Sequence, residues 1–188
     1  MKCSIKKDLV DKTIAFRGHS CPGLVIGIRA AELALQRLGQ DEGKDLVAVV
    51  ETDMCGVDAI QFLTGCTFGK GNLIHKDYGK VAFSFYDRSK NTSFRAVLRP
   101  DISGTLGSEL RSLAKKVENG TANEEEHARL KNLRGELQKR YMNADLEQMF
   151  ILTEPSFAMP KPARILQSLR CEACGEMTME SRTRRFDG

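Results

Sequence analysis

Phe16-Arg17-Gly18-His19-Ser20-Cys21-Pro22-Gly23 runs straight into Leu24-Val25-Ile26-Gly27-Ile28-Arg29-Ala30-Ala31-Glu32-Leu33-Ala34-Leu35-Gln36-Arg37-Leu38, and this join decides the fold. Leu24, Ile28, Ala31, Leu35 and Leu38 recur at helical spacing and predict an apolar stripe over about four turns. Gly39 follows as a stop signal. At the other end Ser20 is the predicted N-cap, and Pro22 falls in the first turn, where a missing N–H does no harm. His19 and Cys21 then lie beside the free N–H groups of the helix, whose positive end favours a thiolate. Imidazole and thiol two residues apart suit a metal or a nucleophile. An inert buried Cys beside a helix-capping His fits the same residues.

Working outward, residues 5–17 read as an amphipathic helix with Leu9, Ile14 and Phe16 turned to the core, ended by Gly18. Beyond the long helix comes a polar break, residues 40–45. Leu46-Val47-Ala48-Val49-Val50 is then a continuous apolar run, the pattern of a strand covered on both faces. Polar residues just past such a strand are where ligands are held. There the chain reads Glu51-Thr52-Asp53-Met54-Cys55-Gly56-Val57-Asp58, with Asp53 predicted to cap a short helix. Cys55 falls in its first turn, and Asp58, three residues on, shares its face. The glycines at 65, 69 and 71 suggest a P-loop, but Gly65-x-x-x-Gly69-Lys70 is one residue short and Gly71 stands where Ser or Thr is required. A tight connection between elements explains them.

Leu73 to Arg99 reads as antiparallel sheet, with Phe83 and Phe85 on one side of the middle strand. His75 reads as structural. Leu106, Leu110, Leu113 and Val117, then Leu130, Leu133, Leu137 and Tyr141, mark a helical hairpin with one apolar side, for packing on the sheet or for a dimer contact. Its second helix opens at a capping box over residues 121–124, and His127 on it looks solvated. Residues 146–152 close the sheet. Pro155, Pro160 and Pro162 then mark an extended linker. The tail carries Cys171-Glu172-Ala173-Cys174-Gly175, half of a tetrahedral zinc site, with a redox dithiol as the alternative. A second Cys pair, expected further along, does not follow.

The predicted fold is α+β: helices packed on a mixed, largely antiparallel sheet, with a helical hairpin and a small zinc-finger-like tail. Residues 1–154 form the core domain and 155–188 the linker and incomplete finger. The 188 residues suffice for a real core, and 41% hydrophobic with 29% charged residues is ordinary for a soluble globular protein. No apolar run reaches membrane length and no secretory signal is present, so the expectation is a cytoplasmic protein without a membrane partner. Six cysteines in such a chain suggest metal or redox work rather than disulfides. The net charge of +4 is mild, and from Lys161 onward six basic residues against four acidic ones leave +2, so nucleic-acid binding is disfavoured.

His19-x-Cys21-Pro22-Gly23, the Glu51/Cys55/Asp58/Gln61 stretch, Thr64-Gly65-Cys66-Thr67, Gly69-Lys70-Gly71-Asn72-Leu73 and Asp77-x-Gly79-Lys80 together resemble the E-subunit family of tungsten/molybdenum formylmethanofuran dehydrogenase. The tail, Cys171-Glu172-Ala173-Cys174-Gly175-Glu176 with Glu180, looks like that family's C-terminal zinc finger. The resemblance implies an α+β core that forms intertwined dimers and a metal- or thiol-dependent site at His19, Cys21 and Cys55. It does not imply catalysis, because the family takes its name from an operon partner. The missing second Cys pair departs from the family pattern: the chain is cut short, the finger borrows Cys66 or Cys3, or Cys171 and Cys174 are underligated.

Two functions of different class follow. In one, His19, Cys21 and Cys55 bind zinc or another divalent transition metal with an open position, and Asp58 serves as proton acceptor, with Cys21, Cys55 and Asp58 carrying any reaction. An oxidoreductase subunit is then a partner. In the other, the protein is a non-catalytic homodimer whose finger, through Cys171 and Cys174, recognises a protein or nucleic acid.

Overall fold

The computed structural model describes residues 2–39 and 45–184; most of the predicted polar break at 40–45, and Arg185 and Asp187 of the tail's charges, lie outside them. Helix α1 (Lys7–Arg17) leads to α2 (Pro22–Leu38), then β1 (Leu46–Val50), α3 (Gly56–Thr64), β2 (Leu73–His75), β3 (Ala82–Asp87) and β4 (Thr92–Leu98). The hairpin α4 (Gly104–Glu118) and α5 (Glu124–Asn143) follows, then the short α6 (Leu146–Met149) and β5 (Phe150–Thr153). After the linker come β6 (Ser168–Arg170), β7 (Met177–Met179) and a 3-10 turn, Glu180–Arg182. This is an α+β protein.

The sheet order is β2-β1-β3-β4-β5. Three of its pairings are antiparallel, but β2 runs parallel to β1, with Ala48 opposite Leu73 and Val50 opposite His75. Alternation along a three-residue strand cannot reveal its partner, so the expectation that β2 joins an antiparallel meander is corrected. The connection through α3 brings it back beside β1 as a crossover does. β1 is buried at all five positions. Leu46, Ala48 and Val50 face the helices, while Val47 and Val49 meet Tyr86, Phe157 and Met159 on the opposite face.

α2 departs from the single stripe predicted for it. Every residue from Leu24 to Ala34 is buried. Leu24 and Ile28 pack with Ile5, Val10 and Ala59, whereas Val25, Ile26, Ala30, Leu33, Ala34 and Leu38 pack on the sheet side. A helix wrapped on all sides must also satisfy its polar residues. Arg29 does so in part, donating to the Ala144 carbonyl at 2.7 Å and pairing with Glu32 at 3.1 Å while its buried Nε has no hydrogen-bond partner; Glu32 in turn accepts from Ser4 N–H at 2.6 Å. This buried pair ties the N-terminal segment and the end of α5 to α2.

Three local expectations shift. On α1 the buried residues are Val10 and Thr13, while Leu9 and Phe16 are exposed; Phe16 instead leans on Phe62 of α3, ring centres 5.5 Å apart. The capping box of α5 is Asn123 with Glu126: the Glu126 N–H donates to Asn123 Oδ1 at 2.8 Å and the Asn123 N–H to Glu126 Oε2 at 3.1 Å. Asn caps as well as Thr, and two glutamates in reach made the register ambiguous. At α2 the N-cap is Cys21, not Ser20, because Pro22 occupies the first helical position; the Ser20 hydroxyl turns to Gln138. The α5 half of the hairpin stripe behaves as predicted, with Leu130, Leu133, Leu137 and Tyr141 all buried, whereas Leu106, Leu110, Leu113 and Val117 of α4 are only half-buried.

Candidate metal centre

The site forms where two helices begin side by side. Gly18, at φ 90°, ends α1 by donating its N–H to Ile14 O and reverses the chain into His19-Ser20-Cys21. Close approach of α2 and α3 then sets the distance between Cys21 and Cys55. A Cβ on Gly27 would lie 2.1 Å from Gly56 O, and one on Gly56 would lie 2.9 Å from Gly23 O. No other residue type fits at this crossing.

His19, Cys21 and Cys55 converge: one ligand atom from each lies within 4.8 Å of the other two. His19 is exposed and the two cysteines half-buried. They form the single group of three or more potential metal-binding side chains among the described residues. Cys21 Sγ accepts the Leu24 N–H at 3.4 Å and so caps its own helix. Cys55 is the N-cap of α3, in place of the predicted Asp53, yet its sulfur makes no capping bond. Arg17 Nη2 donates to it at 3.4 Å instead, while Arg17 Nε pairs with Asp58 at 2.9 Å. Arg17 is the residue at this cluster that sequence reasoning missed. It stood inside the opening motif, but nothing in its spacing showed that the end of α1 reaches α3.

The two thiols are biased in opposite directions. Burial works to raise the Cys55 thiol, but hydrogen bonds from Arg17 and from the Cys21 thiol, with the guanidinium charge, bring it below the ordinary thiol range. Cys21 is raised, by burial first and then by its bond to Cys55 and that neighbour's negative charge. The two sulfurs are therefore electrostatically unequal. Beside them a cavity of about 210 Å³ is lined by Arg17, Thr52, Asp53, Met54, Cys55, Val57, Asp58 and His75, with Val50 and Leu73 as its floor. Cys55 lines it; Cys21 and His19 do not.

Below this, Glu51 at the end of β1 is buried and pairs with Arg95 through both carboxylate oxygens, at 2.6 and 2.7 Å. The glycine-rich loop is closed by its own residues, with the Thr67 N–H donating to Asn72 Oδ1 at 2.9 Å and Lys70 Nζ to Gly65 O at 3.0 Å, and is tied to β1 where Asn72 Nδ2 donates to Leu46 O at 3.0 Å. His75 and His127 are not buried, and His75 stands at the cavity wall. Cys171 and Cys174 occupy the β6–β7 turn, where Cys171 N–H donates to Glu176 O and Gly175 N–H to Cys171 O, both at 2.8 Å. Cys3 and Cys66, the other candidate donors for the finger, are buried in the core, and Cys66 Sγ donates to Leu46 O at 3.4 Å.

The architecture is that of an α+β domain with a thiol–imidazole cluster at paired helix starts. Residues 16–151 match the family described as FmdE, molybdenum formylmethanofuran dehydrogenase operon, and the chain belongs to that family. A solved structure, that of an FmdE-like protein of tungsten formylmethanofuran dehydrogenase type from Syntrophus aciditrophicus, is similar, with 27% identity and a TM-score of 0.60 over 93% of this chain and 86% of that one. A protein of Archaeoglobus fulgidus named as a probable S-adenosyl-L-methionine-binding protein is 30% identical over 180 residues. That match takes in 90% of this chain but 48% of the relative, so the chain spans about half the length of that protein. No helix among the described residues is long and apolar enough to cross a membrane.

Proposed function

We propose that residues 1–154 are a metal-binding domain in which His19, Cys21 and Cys55 hold a divalent transition metal, zinc by the softness of the donors, in an accessory or redox-linked role beside an oxidoreductase. The observation that carries the reading is the convergence of the three donor atoms within 4.8 Å from two separate helix starts. The donor set fits: two thiolates and a neutral imidazole balance a divalent charge, and three protein ligands leave one tetrahedral position open. When bound, such a cation polarises whatever ligand takes that position. Arg17 fixes the Cys55 sulfur and orients Asp58, which takes the role of proton acceptor at the cavity wall.

Residues 155–188 serve, in this reading, as a linker and a small module whose Cys171 and Cys174 supply two ligands of a second zinc. A homodimer is the assembly we favour. The second reading, a non-catalytic binding protein, draws on the apolar residues left exposed in the tail: Ile165, Met177 and Met179.

Elemental analysis of chain purified without added metal tests the reading. The Cys21→Ser/Cys55→Ser double variant should lose one metal equivalent while keeping its helical circular dichroism. Unchanged metal content in that folded variant removes the core site.

A further inference from the structure

We propose that Cys21 and Cys55 form a redox-active dithiol that exchanges two electrons with an external disulfide, an activity separate from metal binding. It concerns the same site as the proposed function but does not require that an ion be held there. Three observations carry it. The two sulfurs belong to a cluster whose ligand atoms all lie within 4.8 Å of one another, so closing to a disulfide of about 2.05 Å asks for an approach of less than about 3 Å. The scaffold on either side is tight: Gly27 against Gly56 fixes the helices, and a Cβ on Gly23 would lie 3.6 Å from Cys55 Cβ and 3.9 Å from Cys21 Sγ. The cysteines are also unequally placed. Cys55 lines the open cavity, while Cys21 is turned back onto the Leu24 N–H, which assigns attack to the first and resolution to the second.

The exchange takes place in two steps. Cys55, having released its proton to solvent, attacks one sulfur of a disulfide R–S–S–R; that bond breaks, one thiolate leaves, and a Cys55–S–S–R mixed disulfide forms. Cys21, likewise deprotonated, attacks Cys55 Sγ, and the second thiolate leaves. The pair loses two electrons and two protons, and the external disulfide becomes two thiols. Cys3 and Cys66 are buried in the core, away from this chemistry. The tail pair is the one rival, and it can be removed.

The test uses the full chain carrying Cys171→Ser and Cys174→Ser, reduced, freed of metal with a chelator, and treated with glutathione disulfide. Peptide mass mapping should find a link between Cys21 and Cys55 that dithiothreitol reverses. Adding Cys21→Ser should leave a lasting glutathione adduct on Cys55, and adding Cys55→Ser should lower adduct at residue 21 about tenfold. A lasting adduct on Cys55 while Cys21 is intact, or equal adducts in the two single variants, overturns the proposal. Zinc titration of the same chain reads the metal site separately: one equivalent bound without any link sinks the dithiol alone, and a link without zinc binding upholds it while removing the metal centre.

Discussion

Two cysteine pairs in this chain are built on opposite principles. Cys171 and Cys174 are neighbours by sequence, and their surroundings are local: the N–H groups of Cys174 and Ala173 lower the Cys171 thiol within a single exposed turn. Cys21 and Cys55 are neighbours by packing. Their distance is set by glycines at a helix crossing, and the Cys55 thiol is lowered, against its own burial, by a guanidinium from a third helix. The first pair needs only a few residues in the right order. The second needs the core to be folded, so its chemistry rises and falls with global stability.

The largest expected effect breaks the core and spares the tail. Arg29→Met strands Glu32 as a buried charge and should cost about 3–5 kcal/mol in urea unfolding. Gly27→Ala forces α2 and α3 apart, because the new methyl has backbone rather than a flexible side chain against it. We expect a loss of about 3 kcal/mol and, on the proposed reading, loss of the core metal equivalent, with any metal held at Cys171 and Cys174 unchanged. Gly175→Ala reverses the comparison: at φ 75° it strains the tail turn by about 1 kcal/mol, and core unfolding should not move.

The smallest effect sharpens the electrostatic contrast. In metal-free chain, Arg17→Met should shift the pH profile of Cys55 alkylation upward, since the guanidinium that favours the thiolate is gone. Stability carries the same bias. Cys55 is depressed in the folded state, so its contribution is present above the ordinary thiol pKa and lost as pH falls through the folded value; Cys21, raised, contributes below the ordinary value and loses this as pH rises. An alkylation profile of Cys55 that ignores Arg17 would remove that residue from the site. The same substitution should leave Cys171 alkylation where it was.

Much of this was legible in the chain because it depended on short range. The strand at 46–50, the hairpin stripe, the failed P-loop and the stop at Gly39 are each written within a few residues. The Cys-x-x-Cys-Gly turn is complete in its own stretch. What misled were positions where two neighbours could serve equally well: Ser20 or Cys21 as cap, residues 121 or 123 as box. The parallel placement of β2 and the burial of Arg29 were hidden for another reason, as they express contacts made with segments far along the chain.

Sequence alone determined that His19, Cys21 and Cys55 each stand at or beside a helix start, because caps, prolines and glycines act locally and leave a visible pattern. Only the tertiary structure decided that those starts face each other and that Arg17 comes between Cys55 and Asp58. That decision is made by close packing of Gly23, Gly27 and Gly56, and packing is a property of surfaces meeting in space, which no spacing along one strand of sequence records.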